Sequence, residues 1–200
     1  MRTTGISDST ALLNSLNAYP PKYALISRIL LETGFRVSDV LNLKKRDVVH
    51  LEREKRQITE RKTQKKRELK LSDKLREDLL EYASREKLRT TDFMFPSTRL
   101  NRSKHISRHQ VFRVMKKAAR DAGLEGVISP HSCRKTYARK KFVEHGDIFE
   151  LQKDMRHTYV STTLGYLIDS PPKRADGEPA SNVHPIFADI LKGFGIVGGE

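Results

Sequence analysis

The chain has 200 residues, enough for one compact domain with a real core and too few for two full ones. Its 39 Lys and Arg outnumber 25 Asp and Glu for a net charge of +14, which makes a polyanion such as nucleic acid the leading partner, although a ribosomal, membrane-surface or chaperone-like protein would share that charge. No run of about 18 apolar residues is present to cross a bilayer and no signal-peptide core opens the chain, so a cytoplasmic protein without a membrane role is expected.

In chain order, Tyr23, Leu25, Ile26, Ile29 and Leu30 recur at helical spacing between Lys22 and Glu32, and Gly34 ends that helix. Ser38 to Leu43 reads as a second, short helix. Val48, Val49, Leu51, Ile58, Leu69 and Leu71 then give a sparser pattern interleaved with charge, which predicts two or three strands. The turn between the later strands would hold Arg61, Lys62, Thr63, Gln64, Lys65, Lys66 and Arg67, a basic run that could enter a DNA groove or simply form a solvated hairpin tip. Asp73 to Arg85 is an amphipathic helix with Leu75, Leu79, Leu80 and Tyr82 on or near one face.

Further on, Ser107 and Gln110 match a capping box ahead of Val111, Val114, Met115 and Ala118. Another helix is expected from near His131 to Gly146, followed by short helices over Asp147 to Met155 and Val160 to Ile168. Ser170, Pro171 and Pro172 break the pattern. The fold class is therefore α+β, mainly helical with a small antiparallel sheet, covering 1–170. Residues 171–200 read as a linker plus an apolar stripe of Ile186, Phe187, Ile190 and Leu191 that needs a partner surface.

Three separated segments become informative together: Thr33-Gly34-Phe35-Arg36-Val37-Ser38-Asp39, His131-Ser132-Cys133-Arg134, and His157 followed nine residues later by Tyr166. In this order, with the Lys62 turn between the first two, they resemble the signature of the tyrosine recombinase, or phage integrase, family over roughly Lys22 to Leu167. The first segment is similar to the family's T-G-x-R-x-S-E, with Asp39 in place of Glu. His131 and Arg134 fill H-x-x-R, with Lys135 where His is usual. Met155-Arg156-His157, Thr162-Thr163 and Tyr166 follow L-G-H-x-x-x-x-T-T-x-x-Y, with Arg156 replacing a Gly that adopts positive φ cheaply.

The resemblance implies a tyrosine recombinase catalytic-domain fold and a catalytic set of Arg36, Lys62, His131, Arg134, His157 and Tyr166, with Lys65 and Lys66 as rivals to Lys62. The chemistry accounts for these residue types. A Tyr166 oxygen attacking phosphorus stores the broken phosphodiester as a 3′-phosphotyrosyl ester, so neither metal nor other cofactor is called for. His131 would accept the phenol proton, and Arg36 and Arg134 would clamp the nonbridging oxygens. Lys62 would protonate the leaving deoxyribose oxygen, and His157 would donate a further hydrogen bond to the phosphate.

The implied partners are double-stranded DNA and further copies of the chain, as a tetramer on paired sites, with the stripe at Ile186 to Leu191 as the docking segment. Accessory DNA-bending or directionality proteins and a nucleoid location fit the same reading. A typical member also carries an N-terminal DNA-clamping domain for which the first twenty residues leave no room, so either a fragment or a short recombinase like the fimbrial invertases is expected.

Each residue also has a plainer reading. Arg36 could be one more surface arginine at a helix end, His131 and Arg134 helix-start residues, and Tyr166 a core residue between Leu164 and Leu167. The single cysteine, Cys133, allows no intrachain disulfide and no cysteine-built zinc site, and its expected role is packing. His105 and His109 are four apart, yet no third metal ligand accompanies them, and His50, His145 and His184 belong to no constellation. Two other functions compete with recombination: a type IB topoisomerase, which shares the nucleophile and phosphate clamp, and a basic DNA-binding module that does not cut.

Overall fold

The computed structural model describes residues 5–49, 57–59, 66–98 and 102–168. It divides into two compact units, 1–134 and 135–200. Among the described residues the first unit contains helices α1 (Ser9–Leu16), α2 (Lys22–Thr33), α3 (Val37–Leu41) and α4 (Lys45–Val49), strands β1 (Gln57–Thr59) and β2 (Lys66–Glu68), and helices α5 (Asp73–Arg85) and α6 (Arg108–Asp121). Helix α7 (Pro130–His145) contains the boundary, and α8 (Ile148–Met155) and α9 (Val160–Ile168) belong to the second unit. The class is the expected one: mainly helical, with a two-stranded antiparallel sheet.

Helix α2 is the centre of the first unit. Tyr23, Leu25, Ile26, Ile29 and Leu30 are all buried, too wide an arc for a helix with one covered face, and α1, α3, α5 and α6 pack against it. Burying each such side chain contributes about 1.5–3 kcal/mol. Helix α5 starts where Ser72 accepts a hydrogen bond from the Leu75 N–H and itself donates to the Glu32 carboxylate at the end of α2. The two helices are tied again at Asp78, shared by Lys74 and Arg28, which hold its carboxyl below the usual range.

Some expectations change. Val48 and Val49 belong to helix α4, not to a strand; Asp47 accepts the Lys44 N–H at 2.9 Å and caps a turn that places Val48 in the core. Leu69 and Leu71 come after β2 without joining a strand, and Leu51 lies outside the described residues. The capping box at α6 is half formed. Ser107 accepts from the Gln110 N–H, but the Gln110 side chain donates to the Tyr23 hydroxyl at 2.8 Å instead of turning back. Helix α1, which residue spacing did not predict, is capped by Asp8 and buries Leu12 and Leu16. Ser15 and Tyr19 tie it to the end of α6 at the Ala118 carbonyl and Asp121.

In the second unit Tyr137, Ala138, Phe142, Ile148, Leu151, Met155 and Leu167 form a separate apolar cluster. The Tyr137 hydroxyl donates to Asp154 at 2.5 Å, joining α7 to α8. Residues 171–200, including the Ile186 to Leu191 stripe, lie outside the described residues.

Candidate active site

The first site segment is a turn. Gly34 ends α2 with φ 61° and ψ 16°, a left-handed conformation nearly free of strain only for glycine, and its N–H closes on the Leu30 carbonyl at 3.0 Å. Thr33 reinforces the turn: its hydroxyl donates to the Ile29 carbonyl at 2.6 Å and accepts from the Phe35 N–H at 3.2 Å. The extended backbone of Arg36 then opens α3, and its carbonyl accepts from Asp39 and Val40. Arg36 is half-buried and Asp39 is buried within that short helix.

The second segment opens α7 with a local device readable in Ser129-Pro130-His131-Ser132. Proline occupies the first helical position, where no backbone donor is missed. The Ser132 hydroxyl accepts from the Ser129 N–H at 3.1 Å and lies within bonding range of the Val127 carbonyl. His131 is exposed, and Ser132, Cys133 and Arg134 are buried, so this end of α7 is covered on most of its sides. Burial pushes the Cys133 thiol up to about 12, so it is an inert packing group at neutral pH. Arg134 is only 2 % exposed, and its guanidinium donates to the Gly34 carbonyl, one hundred residues earlier. Arg134 therefore rests against the turn that carries Arg36.

The basic run divides differently from expectation. Lys62, with Arg61 to Lys65, lies outside the described residues. Lys66 and Arg67 belong to β2, paired with Thr59 and Ile58. Arg67 is no hairpin-tip cation. It is buried, donates to the Thr33 carbonyl at 2.6 Å, and lies over the Phe35 ring at 4.5 Å. Its register gave a signal: it shares period-2 parity with the apolar positions Leu69 and Leu71.

The third segment lies in the second unit. Asp147 caps α8 by accepting from Phe149 and Glu150, and α8 ends on Arg156 with φ 54° and ψ 41°. The left-handed turn is thus kept without glycine, at a cost of about 1–2 kcal/mol for a residue bearing Cβ. Its neighbours hold it. The His157 N–H closes on the Gln152 carbonyl at 3.1 Å, and the Gln152 amide donates to the carbonyls of His157 and Thr158. His157 Nδ1 shares a hydrogen bond with Thr163 Oγ1 at 3.0 Å, and its ring lies 4.9 Å from that of Tyr166. Thr163 and Tyr166 are three apart on α9 and so present both groups to one imidazole. Tyr166 is half-buried, whereas nearby Tyr159 is 69 % exposed.

His105 precedes α6, bonds through Nδ1 to the Ile106 carbonyl and packs edge-on against Phe93, so it forms no helical pair with His109. Among the described residues no cluster of His, Cys, Asp or Glu could hold a metal ion, and no helix is long and apolar enough to cross a membrane.

Residues 7–171 match the model of the Phage integrase family. The chain is 34% identical over 146 residues to "Probable integrase/recombinase YoeC" of Bacillus subtilis, covering 72% of this chain and 77% of that protein. It is 32% identical to "Tyrosine recombinase XerA" of Pyrococcus furiosus, where the match covers 71% of this chain but only 48% of the relative. Among solved structures, the crystal structure of XerA recombinase superposes with a TM-score of 0.66 at 26% identity, over 82% of this chain and 58% of that one. A lambda integrase dimer bound to a COC' core site shares the fold at a TM-score of 0.64 and 20% identity, over 84% of this chain and 48% of that one. With the signature residues lying in one matched stretch, the chain belongs to the phage integrase family, that of the tyrosine recombinases.

Proposed function

We propose that this chain cuts and rejoins DNA at specific sites through a transient 3′-phosphotyrosyl bond at Tyr166, in the service of integration, excision or inversion. The observation that carries the reading is the hydrogen bond from Arg134 to the Gly34 carbonyl, which sets two forked cations from distant parts of the sequence at a single turn. Burial against the turn that bears Arg36 is not the position of a solvent-facing arginine at a helix start.

In the reaction the Tyr166 phenol oxygen forms a bond to phosphorus as the bond to the 5′ oxygen breaks. His131, exposed at the start of α7, accepts the phenol proton. Arg36 and Arg134 match the nonbridging oxygens in geometry and sign as charge builds there. His157 donates to the same phosphate, its Nδ1 engaged by Thr163 so that the ring is oriented. Lys62 protonates the departing 5′ oxygen. Rejoining runs the steps backward with a different 5′-hydroxyl as nucleophile. Because the ester stores the bond energy, the cycle consumes no ATP and needs no metal.

The same reading gives double-stranded DNA as substrate and tetramers on paired sites as the working assembly. Residues 1–170 would be the catalytic domain, and the segment after Pro171 would dock on the next protomer. It places the protein with the nucleoid and leaves room for DNA-bending or directionality proteins. Solved relatives include a lambda integrase tetramer bound to a Holliday junction and XerH in a post-cleavage complex with its difH substrate.

The test is a nicked suicide duplex carrying the attachment site, incubated with protein in EDTA and run on a denaturing gel. A covalent adduct is expected with the unaltered chain, and none with Tyr166→Phe, which should keep its salt-sensitive DNA binding. Absence of adduct on a proven site would favour the non-cutting DNA-binding module.

A further inference from the structure

We infer that Arg67 is a positioning residue for Arg36, acting through the turn between α2 and α3. This rests on the proposed cleavage reaction but assigns work to a side chain outside the set that the sequence nominates.

The turn hangs from two guanidinium groups. Arg67 donates to the Thr33 carbonyl and Arg134 to the Gly34 carbonyl, so successive backbone acceptors are each held by a buried cation. These carbonyls belong to the C-terminal end of α2, where helix geometry leaves acceptors without intrahelical partners and where partial negative charge accumulates. Arg67 fixes the next residue as well, because its guanidinium lies 4.5 Å from the Phe35 ring centroid and Phe35 is 2 % exposed. Thr33, Gly34 and Phe35 are thereby pinned through a carbonyl, a carbonyl and a ring, and the next residue is Arg36. Beyond it, the Arg36 carbonyl is already committed to the first turn of α3.

Filling space on the inner side of a two-stranded sheet does not call for a buried arginine, whose desolvation is costly. Its partner in register is Ile58, and an apolar residue would suit that pair as well. What arginine supplies, and an apolar residue cannot, is a donor to Thr33 and a flat cation against Phe35. Both act on the backbone that aims Arg36. Because small misplacements of a reacting group slow chemistry steeply, the effect should fall on the chemical step more than on DNA affinity.

The test is a double-mutant cycle on single-turnover cleavage of the suicide duplex at saturating protein, using the unaltered chain, Arg67→Met, Arg36→Lys and the double variant. DNA affinity and thermal unfolding are measured for each. Arg67→Met should slow cleavage about 30-fold in the unaltered chain but less than about 3-fold when Arg36 is already Lys, since a residue that acts through another loses its effect with it. Arg67→Lys, which keeps a donor but not the flat stack, should recover part of the rate. If Arg67→Met does not fold, the same cycle is run with Arg67→Lys. Equal losses in both backgrounds, or no loss in the unaltered chain, would overturn the inference while leaving the recombination reading intact. An unaltered chain that forms no adduct would remove that reading, and this inference with it.

Discussion

The left-handed turns that end α2 and α8 each lead into a proposed site residue, and they reach that conformation by different means. At the end of α2 the residue is Gly34, which carries no strain at φ 61°, and two buried guanidinium groups hold the neighbouring carbonyls. At the end of α8 it is Arg156, exposed and strained at φ 54°, and the turn is closed by ordinary backbone bonds and the Gln152 amide. The first turn takes its shape from the right residue, and its polar contacts are free to aim Arg36. The second needs its contacts to overcome the wrong residue. A signature position can therefore lose its glycine and keep its geometry, provided that local hydrogen bonds over-determine the backbone.

Substitutions in and around the two turns test that contrast. The largest effect should come from Arg134→Ala, which removes both a proposed transition-state donor and the tie to Gly34; cleavage in the suicide-duplex assay should fall by about 10²–10³-fold. Gly34→Ala puts a Cβ into the relaxed turn and should lower unfolding free energy by about 1–2 kcal/mol, read from the urea midpoint. Thr163→Val keeps the volume on α9 but removes the hydrogen-bond partner of His157 Nδ1. It should cost about 1 kcal/mol and shift the His157 ring nitrogen resonances in NMR. Arg156→Gly should do the opposite of Gly34→Ala, raising stability by about 0.5 kcal/mol as relief of strain exceeds the added unfolded-state entropy. If both glycine exchanges destabilise, the two turns are not different in kind.

Much of the fold could be read from residue spacing. Helix α5 runs from Asp73 to Arg85 as the stripe of Leu75, Leu79, Leu80 and Tyr82 predicts, and α2 ends where Gly34 predicts. What escaped was short or long-range. Five residues are too few to display a 3.6-residue period, so the adjacent valines of α4 pass for a strand. Arg67 escaped because charge is a good default sign of exposure, and only its parity with Leu69 argues otherwise. The arrival of Arg134 at Gly34 leaves no local trace at all, since nothing in His131-Ser132-Cys133-Arg134 names a carbonyl one hundred residues away. The motifs nominated the groups; their tethers became visible only in three dimensions.

The proposed reaction turns on covalent attachment of DNA to Tyr166. The most direct measurement is mass spectrometry of the trypsin-digested protein–DNA adduct, reading the tryptic peptide that starts at His157, which contains two tyrosines. The phosphonucleotide is expected on Tyr166, whose ring lies against His157. Fragment ions placing it on the more exposed Tyr159, or on any other side chain, would contradict it.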